Sequence, residues 1–585
     1  MLDGGIELEP ARGLSPVRNS SKAGSIDELV NEQLAHFQIN PDSELGCGLA
    51  KVAQNLYLCQ GGIDEVWKMA QASMRELDRS DRIALFNAKK FISFQIAKIL
   101  DNFQNSFRKS YQELGESGAT HAARCTYPII DNVTALFSAT PVIARTATYT
   151  FACAEWIADA FQGKEFMLQI YSRLLNPTSI SLANHIVDLE CGPYAGEYMA
   201  WNYNSGMAAI DGTLSHVLGH EDVMIASRNI YGGAHQLIHD WFAKPSNLNI
   251  GVEQYDGFGA EDFMACWREA KTKYADRLAN GKQAYLYIES PCNPHGYVLD
   301  VPALCKAAHA EGIRVIIDAT VGTPVLQQPM QHPDPECRPD FMIHSYTKDL
   351  TGTGSVIAGG VIARNEDMFI PKGMPGWENT MFWNVYYIKG AFLSADSAYE
   401  VLQGMRTLNL RMINKCINTE ILAKYFGAHP GIRVNCNALP ESPNFELKEK
   451  LLSHGLPAPL FTFDMGSIPK DCFQRFFDSL EPAYSHQISL GQTNTIVSCP
   501  GLTTHSELSE EDQKKGHIYP TTVRISLGCE NPKDLITHFA AAAKLAIDPV
   551  VPGFSDQLMK EEDVDRLIKE TYMKRHELYV DSLLS

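Results

Sequence analysis

IRVIIDATVGTPVLQQPMQHPDPECRPDFMIHSYTKDLTGTG, residues 313–354, contains two short apolar runs that each end near a charged side chain. The first run, residues 313–317, is rich in β-branched residues, which predicts a strand buried on both faces, and Asp318 follows it. The second run, residues 341–343, leads into HSYTK and so to Lys348. Ligands bind outside the carboxyl ends of the strands in open α/β sheets, so we expect Asp318 and Lys348 to face one pocket.

The residues around Lys348 favour one chemistry in particular. A lysine flanked by hydroxyls, with a buried acid upstream, suits a Schiff base with the aldehyde of pyridoxal phosphate, and Asp318 would keep the pyridine nitrogen protonated. Ser345 and Thr347 would donate hydrogen bonds to the cofactor phosphate. These residues alone fit a second interpretation equally well: Asp318 merely ends a strand, Lys348 is solvated, and the two share no role.

Composition narrows the class of protein. The chain has 585 residues, of which 45% are apolar and 20% charged, and this predicts a globular protein of two or three domains. The net charge of −19 and the absence of a basic run argue against nucleic acid as a partner. No apolar run approaches the ~20 residues of a membrane span, and the first residues do not resemble a secretory leader or a transit peptide.

The fourteen cysteines form no C-x-x-C pair and no Cys/His spacing of a zinc site. They are predicted to be reduced, no metal is expected, and a cytoplasmic location is the simplest interpretation.

The first 135 residues are predicted to form a helical N-terminal extension. Residues 1–24, rich in Gly, Ser and Pro, are expected to be disordered, and Ser25 with Glu28 predicts a capping box at the start of a helix. Apolar and aromatic residues recur at helical spacing from Ile83 to Leu114, which predicts one long helix with a broad packing face. A cofactor-binding stripe is the less favoured interpretation of that face.

Strand and helix patterns then alternate, which is typical of an α/β protein with a parallel sheet. Strands are predicted at residues 221–227, 283–288, 313–317, 341–343 and 356–362, and helices at 301–311 and 399–412. Gly206 and Met207 begin a predicted helix whose free N–H groups could bind a phosphate, although Ser-Gly is also a common helix cap. Tyr231 precedes two glycines and could stack on a flat cofactor.

Arg524 lies inside a short apolar strand near the end of the chain, in RISLG. An unpaired cation there would be costly, so it should meet an anion. A substrate carboxylate suits the two-pronged guanidinium, and a structural salt bridge is the alternative.

Ten stretches in order resemble the pyridoxal-phosphate enzymes of cysteine and methionine metabolism, the trans-sulfuration group. They are YSRLLNPT (171–178), NSGMAAI (204–210), IYGGAH (230–235), ESPCNP (289–294), DAT (318–320), HSYTK (344–348), MRTLNLRM (405–412), SLG (489–491), TTHSELSEE (503–511) and RISLGCE (524–530). The resemblance covers roughly 400 residues and not the N-terminal extension.

The resemblance implies the pyridoxal-phosphate transferase fold of type I, with a mostly parallel seven-stranded sheet, helices on both faces and a smaller α+β domain. After the extension at 1–135, the expected segments are an arm at 136–195 that reaches the neighbouring subunit, a cofactor-binding large domain at 196–400, a small domain at 401–548 and a helical tail at 549–585. A homodimer or homotetramer with shared active sites is implied.

The resemblance also implies roles for single residues. Lys348 would be the Schiff-base lysine, Asp318 the partner of the pyridine nitrogen and Tyr231 the stacking ring that assists proton transfer. Arg524 would bind the substrate carboxylate, and Ser489 would position Lys348 or the substrate. The remaining cofactor contacts would come from Gly206, Met207, Asn293, Ser345, Thr347 and, from the neighbouring subunit, Tyr171 and Arg173.

The implied activity is β- or γ-elimination, or γ-replacement, on cystathionine, methionine or an O-acylhomoserine. Some positions depart from the family: Ala319 stands where it usually has asparagine, and Asp349 where it usually has tyrosine. A catalytically silent family member that serves as a scaffold or regulator is the alternative. The presence of Lys348, Asp318 and Arg524 together argues against it.

Overall fold

The computed structural model describes residues 8–78, 81–113, 138–149, 151, 153–162, 170–466, 468–500 and 519–584. The chain forms two compact units. The first comprises Met1–Val142 and Thr148–Ile170, and the second comprises Ile143–Ala147 and Tyr171–Ser585. The five sequence segments proposed above divide the chain differently, since the segment 136–195 includes residues of both units, and their boundaries stay predictions.

The described part of the first unit is helical. Its helices are α1 (Leu8–Gly13), α2 (Ile26–His36), α3 (Glu44–Glu76), α4 (Arg82–Glu113) and α5 (Ala154–Phe161). Ser25 caps α2 by accepting a hydrogen bond from Glu28 N, as the sequence predicts. The expected disorder of residues 1–24 is wrong for the described part, because α1 forms and Arg18 Nε contacts Asp159 Oδ2 of α5 at 2.7 Å.

Helix α4 confirms the long helix predicted from the apolar spacing. Its predicted packing face is largely exposed within the chain: Phe86, Phe91 and Phe94 are 65%, 66% and 56% exposed. A partner surface for this face therefore stays a prediction. Leu114, the last residue of the predicted face, lies outside the described residues.

A seven-stranded sheet is the centre of the second unit. Its strands are β1 (Tyr198–Tyr203), β2 (Val223–Ser227), β3 (Gly251–Tyr255), β4 (Ala284–Glu289), β5 (Arg314–Asp318), β6 (Phe341–His344) and β7 (Gly359–Arg364). Their order is β1-β7-β6-β5-β4-β2-β3, and only β7 runs antiparallel to its neighbours. The predicted α/β class with a mostly parallel sheet is confirmed.

Several strands of this sheet are buried along their whole length. Every residue of β2, β4 and β6 is buried, as expected for strands covered on both faces. The helices of this part are α6 (Pro177–Cys191), α7 (Gly206–Val217), α8 (Gly232–Gln236), α9 (Ala260–Lys273), α10 (Ala275–Ala279), α11 (Val301–Ala310), α12 (Thr323–Leu326), α13 (Asn365–Met368) and α14 (Tyr387–Lys389). Among the described helices, none combines the length and apolar content that a membrane span requires.

A second, five-stranded sheet follows in the chain. Its strands are β8 (Arg433–Asn435), β9 (Leu460–Asp464), β10 (Ser485–His486), β11 (Ile496–Ser498) and β12 (Thr522–Ser526), in the order β10-β11-β12-β9-β8. The remaining helices are α15 (Ala395–Met405), α16 (Leu408–Gly427), α17 (Phe445–Leu451), α18 (Lys470–Asp478), α19 (Pro532–Ala546) and α20 (Glu561–Leu584). Strand β12 carries Arg524, so this sheet contributes a site residue.

The helix predicted at residues 399–412 is divided in the structure. Helix α15 ends at Met405, and Thr407 leaves the helical conformation with φ −113°. The carbonyl of Gly404 accepts a hydrogen bond from Arg411 Nη2 at 2.8 Å, and Thr407 Oγ1 accepts one from Arg411 Nε at 3.1 Å. The Arg411 side chain thus donates hydrogen bonds to the residues at the break between the two helices. The apolar periodicity of the sequence does not reveal these contacts.

We expect Gly404→Ala to destabilise the chain by about 1–3 kcal/mol, because overpacking forces backbone to move. A Cβ at Gly404 would lie 2.3 Å from the carbonyl oxygen of Thr351. Gly196→Ala is the matched control, since a Cβ there meets nothing within 4 Å. Urea unfolding of both variants measures the difference, and equal stabilities would contradict the packing inferred at Gly404.

Candidate active site

Asp318 lies at the carboxyl end of β5 and is 6% exposed. Its Oδ1 accepts a hydrogen bond from Thr320 N at 3.0 Å. Burial raises the pKa of Asp318, while the Thr320 hydrogen bonds and the charges of His344 and Lys348 oppose that rise. The structure therefore places the predicted acid where it is buried and still surrounded by groups that favour its charged form.

Glu289, at the end of β4, is a site residue that the sequence reasoning missed. The strand register places it beside Asp318. Its Oε2 accepts a hydrogen bond from Tyr231 N at 2.5 Å, and its Oε1 accepts one from Asn293 N at 2.8 Å. Burial, followed by the charge of Asp318, raises the pKa of Glu289 well above its usual value. The strand-end rule that identified Asp318 also applies to Glu289.

Lys348 follows β6 and reaches Ser489, a residue 141 positions later in the chain. Its Nζ donates a hydrogen bond to Ser489 Oγ at 3.0 Å. Burial, helped by the nearby Arg524 charge, lowers the pKa of Lys348 to about 8, against the opposing charges of Asp349 and Asp318. The amine can therefore lose its proton near neutral pH, which a nucleophile or base requires.

Arg524 is 2% exposed in β12 and points at the same group of residues. One Nη donates to Asn293 Oδ1 at 3.1 Å and the other to Ser489 O at 2.5 Å. Its Nε has no hydrogen-bond partner in the described structure, and burial lowers the pKa of Arg524 to about 10. No described carboxylate forms an ion pair with it, so the structural salt bridge gains no support.

The start of α7 lies against Ser345. A Cβ at Gly206 would be 2.7 Å from Ser345 Cβ, so only glycine allows this approach. Ser205 caps α7 by accepting from Ala208 N, and Thr320 Oγ1 accepts from Ser345 N at 2.8 Å. Gly206 and Met207 therefore present N–H groups of a first helical turn next to a serine hydroxyl, which suits a phosphate.

The hydroxyl of Thr347, which was expected to donate to the cofactor phosphate, contacts the backbone of Ala358. Its hydroxyl donates to Ala358 O at 3.1 Å and accepts from Ala358 N at 2.9 Å. Its role as a phosphate donor stays a prediction, and the observed contacts connect the Lys348 loop to the segment before β7.

Tyr171 and Arg173 lie together in the structure. Arg173 Nη1 donates to Tyr387 O at 2.6 Å, and its guanidinium lies 5.7 Å from the ring centre of Tyr171. Within one chain these residues contact each other and Tyr387. Their reach to a neighbouring subunit stays a prediction, and the TTHSELSEE stretch lies outside the described residues.

Comparison with known proteins identifies the family. A family model described as Cys/Met metabolism PLP-dependent enzyme matches residues 131–544. The chain belongs to this family. It is a pyridoxal-phosphate-dependent enzyme of sulfur amino acid metabolism, of the lyase or γ-replacement kind, and the scaffold alternative gains no support from the comparisons.

Named relatives of the family agree with this assignment. The chain is 31% identical over 400 residues to an L-methionine gamma-lyase of Porphyromonas gingivalis, which covers 68% of this chain and 90% of the relative. It is 32% identical over 396 residues to an O-succinylhomoserine sulfhydrylase of Pseudomonas aeruginosa, covering 68% and 88%.

Solved structures of the family share the fold. A putative O-acetylhomoserine (thiol)-lyase of Campylobacter jejuni, solved with N'-pyridoxyl-lysine-5'-monophosphate, has a TM-score of 0.60 at 26% identity and covers 69% of this chain and 95% of its own. A cystathionine gamma synthase of Xanthomonas oryzae has a TM-score of 0.58 at 24% identity, with 70% and 93% covered.

The residues present fit pyridoxal phosphate. A lysine of lowered pKa, a buried acid and a helix N-terminus that only glycine can form next to Ser345 are the groups that this cofactor requires. The donor set offers an amine for the aldehyde, an acid for the ring nitrogen and N–H groups for the phosphate. Asp318 lies at a strand end, Lys348 in the loop after β6 and the N–H groups at a helix start, all in the second unit.

We expect Lys348 in the cofactor-free protein to react with an amine-selective acylating reagent with a midpoint near pH 8, the value to which burial and Arg524 lower its pKa. Arg524→Met removes the nearby cation and should move this midpoint to higher pH. Arg575→Met, which removes a buried arginine on α20, is the control and should leave it unchanged. Mass spectrometry of the Lys348 peptide measures the midpoint, and an unperturbed midpoint near that of an ordinary lysine, ~10.4, would contradict the inference.

Proposed function

We propose that the chain catalyses β- or γ-elimination, or γ-replacement, on cystathionine, methionine or an O-acylhomoserine. The observation that carries the proposal is the contact of one residue, Ser489, with both Lys348 and Arg524. An amine of lowered pKa and a guanidinium whose Nε has no hydrogen-bond partner among the described residues therefore both contact Ser489. This is the arrangement that an α-amino acid needs, because its carboxylate and its Cα proton are adjacent.

Each residue has a defined task in this proposal. When bound, pyridoxal phosphate supplies an aldehyde that combines with amines and a ring that accepts electrons from the substrate Cα. Arg524 binds the substrate α-carboxylate through its unpartnered Nε and a Nη that gives up a present contact. Lys348 Nζ takes the proton from the substrate Cα, and Ser489 Oγ holds that amine in place.

Asp318 and Tyr231 act on the ring and on the leaving group. The Asp318 carboxylate holds the proton on the ring nitrogen, which its buried position makes effective. Tyr231 would stack on the ring of the bound cofactor, and its hydroxyl would donate a proton to the leaving sulfur or oxygen. Glu289 fixes the backbones of Tyr231 and Asn293, and Asn293 holds Arg524 until the substrate carboxylate takes its place. One carboxylate thus fixes the positions of two residues of the proposed site.

We also propose the assembly and location. Tyr171 and Arg173 would complete the phosphate site of a neighbouring subunit, so a homodimer is the smallest functional unit and a homotetramer a pair of dimers. Apart from Cys499, the cysteines of the described structure form no disulfide, which suits a reducing, cytoplasmic compartment.

Incubation with cystathionine, methionine, cysteine and O-acylated homoserines, with and without a thiol, tests the reaction. A keto acid with ammonia indicates elimination, and a new thioether indicates replacement. We expect Lys348→Ala to lose turnover while keeping its fold, because only the amine is removed. Turnover by Lys348→Ala at the wild-type rate, or no product from any of these substrates, would refute the proposal.

The shared active site predicts complementation between two inactive variants. Lys348→Ala lacks the amine but keeps the arm, whereas Arg173→Ala keeps the amine and has a defective arm. A mixed dimer would contain one site with both defects and one site with neither. Activity should therefore reappear after co-refolding, approaching about half of the wild-type activity per mixed dimer.

The control is each variant refolded alone, which should remain inactive. Native mass spectrometry shows whether mixed dimers form. If mixed dimers form without any activity, Arg173 serves its own subunit and the shared-site proposal is wrong.

A further inference from the structure

A cavity of about 220 Å³ lies at the carboxyl ends of β2, β3 and β4. Ser227 ends β2, Tyr255 ends β3 and Glu289 ends β4, and all three residues line the cavity. Among the described residues, the lining does not include Lys348 or Arg524. The sheet therefore has a second space at the same edge as the candidate active site.

The strand order favours ligand binding at this place. From β2 the chain continues to β3 on one side, whereas β4 pairs with β2 on the other side and leads on to β5 and β6. The direction in which strands are added thus reverses between β2 and β4. In open α/β sheets, ligands bind outside the carboxyl ends of the strands at such a switch point. Asp318 and Lys348 lie farther along the sheet, at the end of β5 and after β6.

Two opposite charges on the cavity wall select the chemistry of an occupant. Arg228 follows β2 and Asp256 follows β3, and Arg228 Nε donates a hydrogen bond to Asp256 Oδ1 at 2.5 Å. A guanidinium has five N–H donors and a carboxylate two acceptor oxygens, so both groups can also bind a ligand. The side chain of Asp256 is 65% exposed and that of Arg228 23%. An ion pair this exposed contributes little to stability, so an occupant can share it.

A free α-amino acid matches this pair of charges. Its carboxylate and ammonium groups are attached to one carbon atom, so they are adjacent, as the charges of Arg228 and Asp256 are. Each would form a charge-assisted hydrogen bond with the group of opposite sign. Phe258, Tyr297 and Leu299 give the wall an aromatic and apolar part, which suits an uncharged side chain. The volume is below the ~300–1,000 Å³ typical of ligand pockets, which suits a molecule of this size.

The wall of the cavity is fixed by backbone hydrogen bonds. The carbonyl of Phe258 accepts from Asp300 N at 2.8 Å, and the carbonyl of Tyr297 accepts from Cys292 N at 2.8 Å. Ser227 is 3% exposed, and its hydroxyl has no hydrogen-bond partner among the described residues. A buried hydroxyl without a partner is unfavourable, and a polar ligand in the cavity can supply one.

We propose that this cavity is a second site for a free α-amino acid, in which Arg228 binds the carboxylate and Asp256 the ammonium group. Binding there requires no turnover, so the inference goes beyond the proposed function. Glu289 lines the cavity and accepts hydrogen bonds from the backbones of Tyr231 and Asn293. An occupant therefore lies next to a residue that fixes two residues of the candidate active site.

L-Norleucine is a suitable probe, because it has the charges of an amino acid and no leaving group. Equilibrium dialysis of the wild-type holoenzyme measures all the norleucine bound, and the visible absorbance of the cofactor reports the active site alone. We expect one molecule per chain beyond those that the absorbance change accounts for. Arg524→Met should lose the absorbance change and keep this molecule. If the absorbance change accounts for all the norleucine bound to the wild type, the proposal is wrong.

Arg228→Gln and Asp256→Asn test the two charges. Each should weaken cavity binding about tenfold or more, the effect of one hydrogen bond to a charged group. The absorbance response should stay as in the wild type. Norleucine methyl ester lacks the carboxylate, so it should bind the wild-type cavity weakly, and Arg228→Gln should weaken it no further. Full cavity binding of norleucine by both variants would overturn the proposal.

Arg314→Gln is the matched control. Arg314 lies at the start of β5, at the opposite end of the strands, and pairs with Asp367 at 2.8 Å, with side chains 37% and 22% exposed. This variant changes the net charge as Arg228→Gln does and should keep norleucine in the cavity. An equal loss of binding in both variants would mean that net charge alone is responsible, and the proposal would fail. The proposed function fails separately, by the absence of product from sulfur amino acids.

Discussion

The register of β4 and β5 sets two carboxylates, Glu289 and Asp318, next to each other at the buried end of the sheet. Two neighbouring carboxylates in a buried position repel each other, and the hydrogen bonds that they accept offset this repulsion. Glu289 accepts two backbone N–H groups, from Tyr231 and Asn293. Asp318 accepts from Thr320. Because the donors to Glu289 belong to two residues of the site, compensating its charge also fixes their positions.

The two cations of the site, like its two carboxylates, are buried and repel each other. Lys348 and Arg524 are both removed from water, and each has a lowered pKa. Ser489 joins them without adding charge, since its hydroxyl accepts from the lysine and its carbonyl from the arginine. The repulsion that remains can be relieved by the loss of the Lys348 proton. A lysine that must act as a free amine is thus prepared by its surroundings before any ligand is bound.

Sequence reasoning succeeded where the signal is local. The β-branched run before Asp318 and the apolar run before Lys348 predicted two strand ends, and β5 and β6 end there. It could not find contacts between distant positions, such as Glu190 with His344 or Thr347 with Ala358, because nothing in the local pattern selects the partner. The aromatic face of α4 shows a further limit. Its periodicity predicted the helix, but a packing surface depends on what meets it, and Phe86 and Phe91 are exposed within the chain.

Asp349 is one of the departures from the family pattern. Its negative charge is paired with a lysine. Lys415 on α16 contacts Asp349 Oδ1, and both side chains are buried. Arg411, one helical turn earlier, donates to Asp349 O at 2.8 Å. The residue directly after Lys348 is thus held by two cations of α16, which fix the lysine backbone without the usual tyrosine. The charge of Asp349 raises the pKa of Lys348, but Lys415 balances that charge, and burial with Arg524 prevails. The departure therefore leaves the lysine able to act as a free amine.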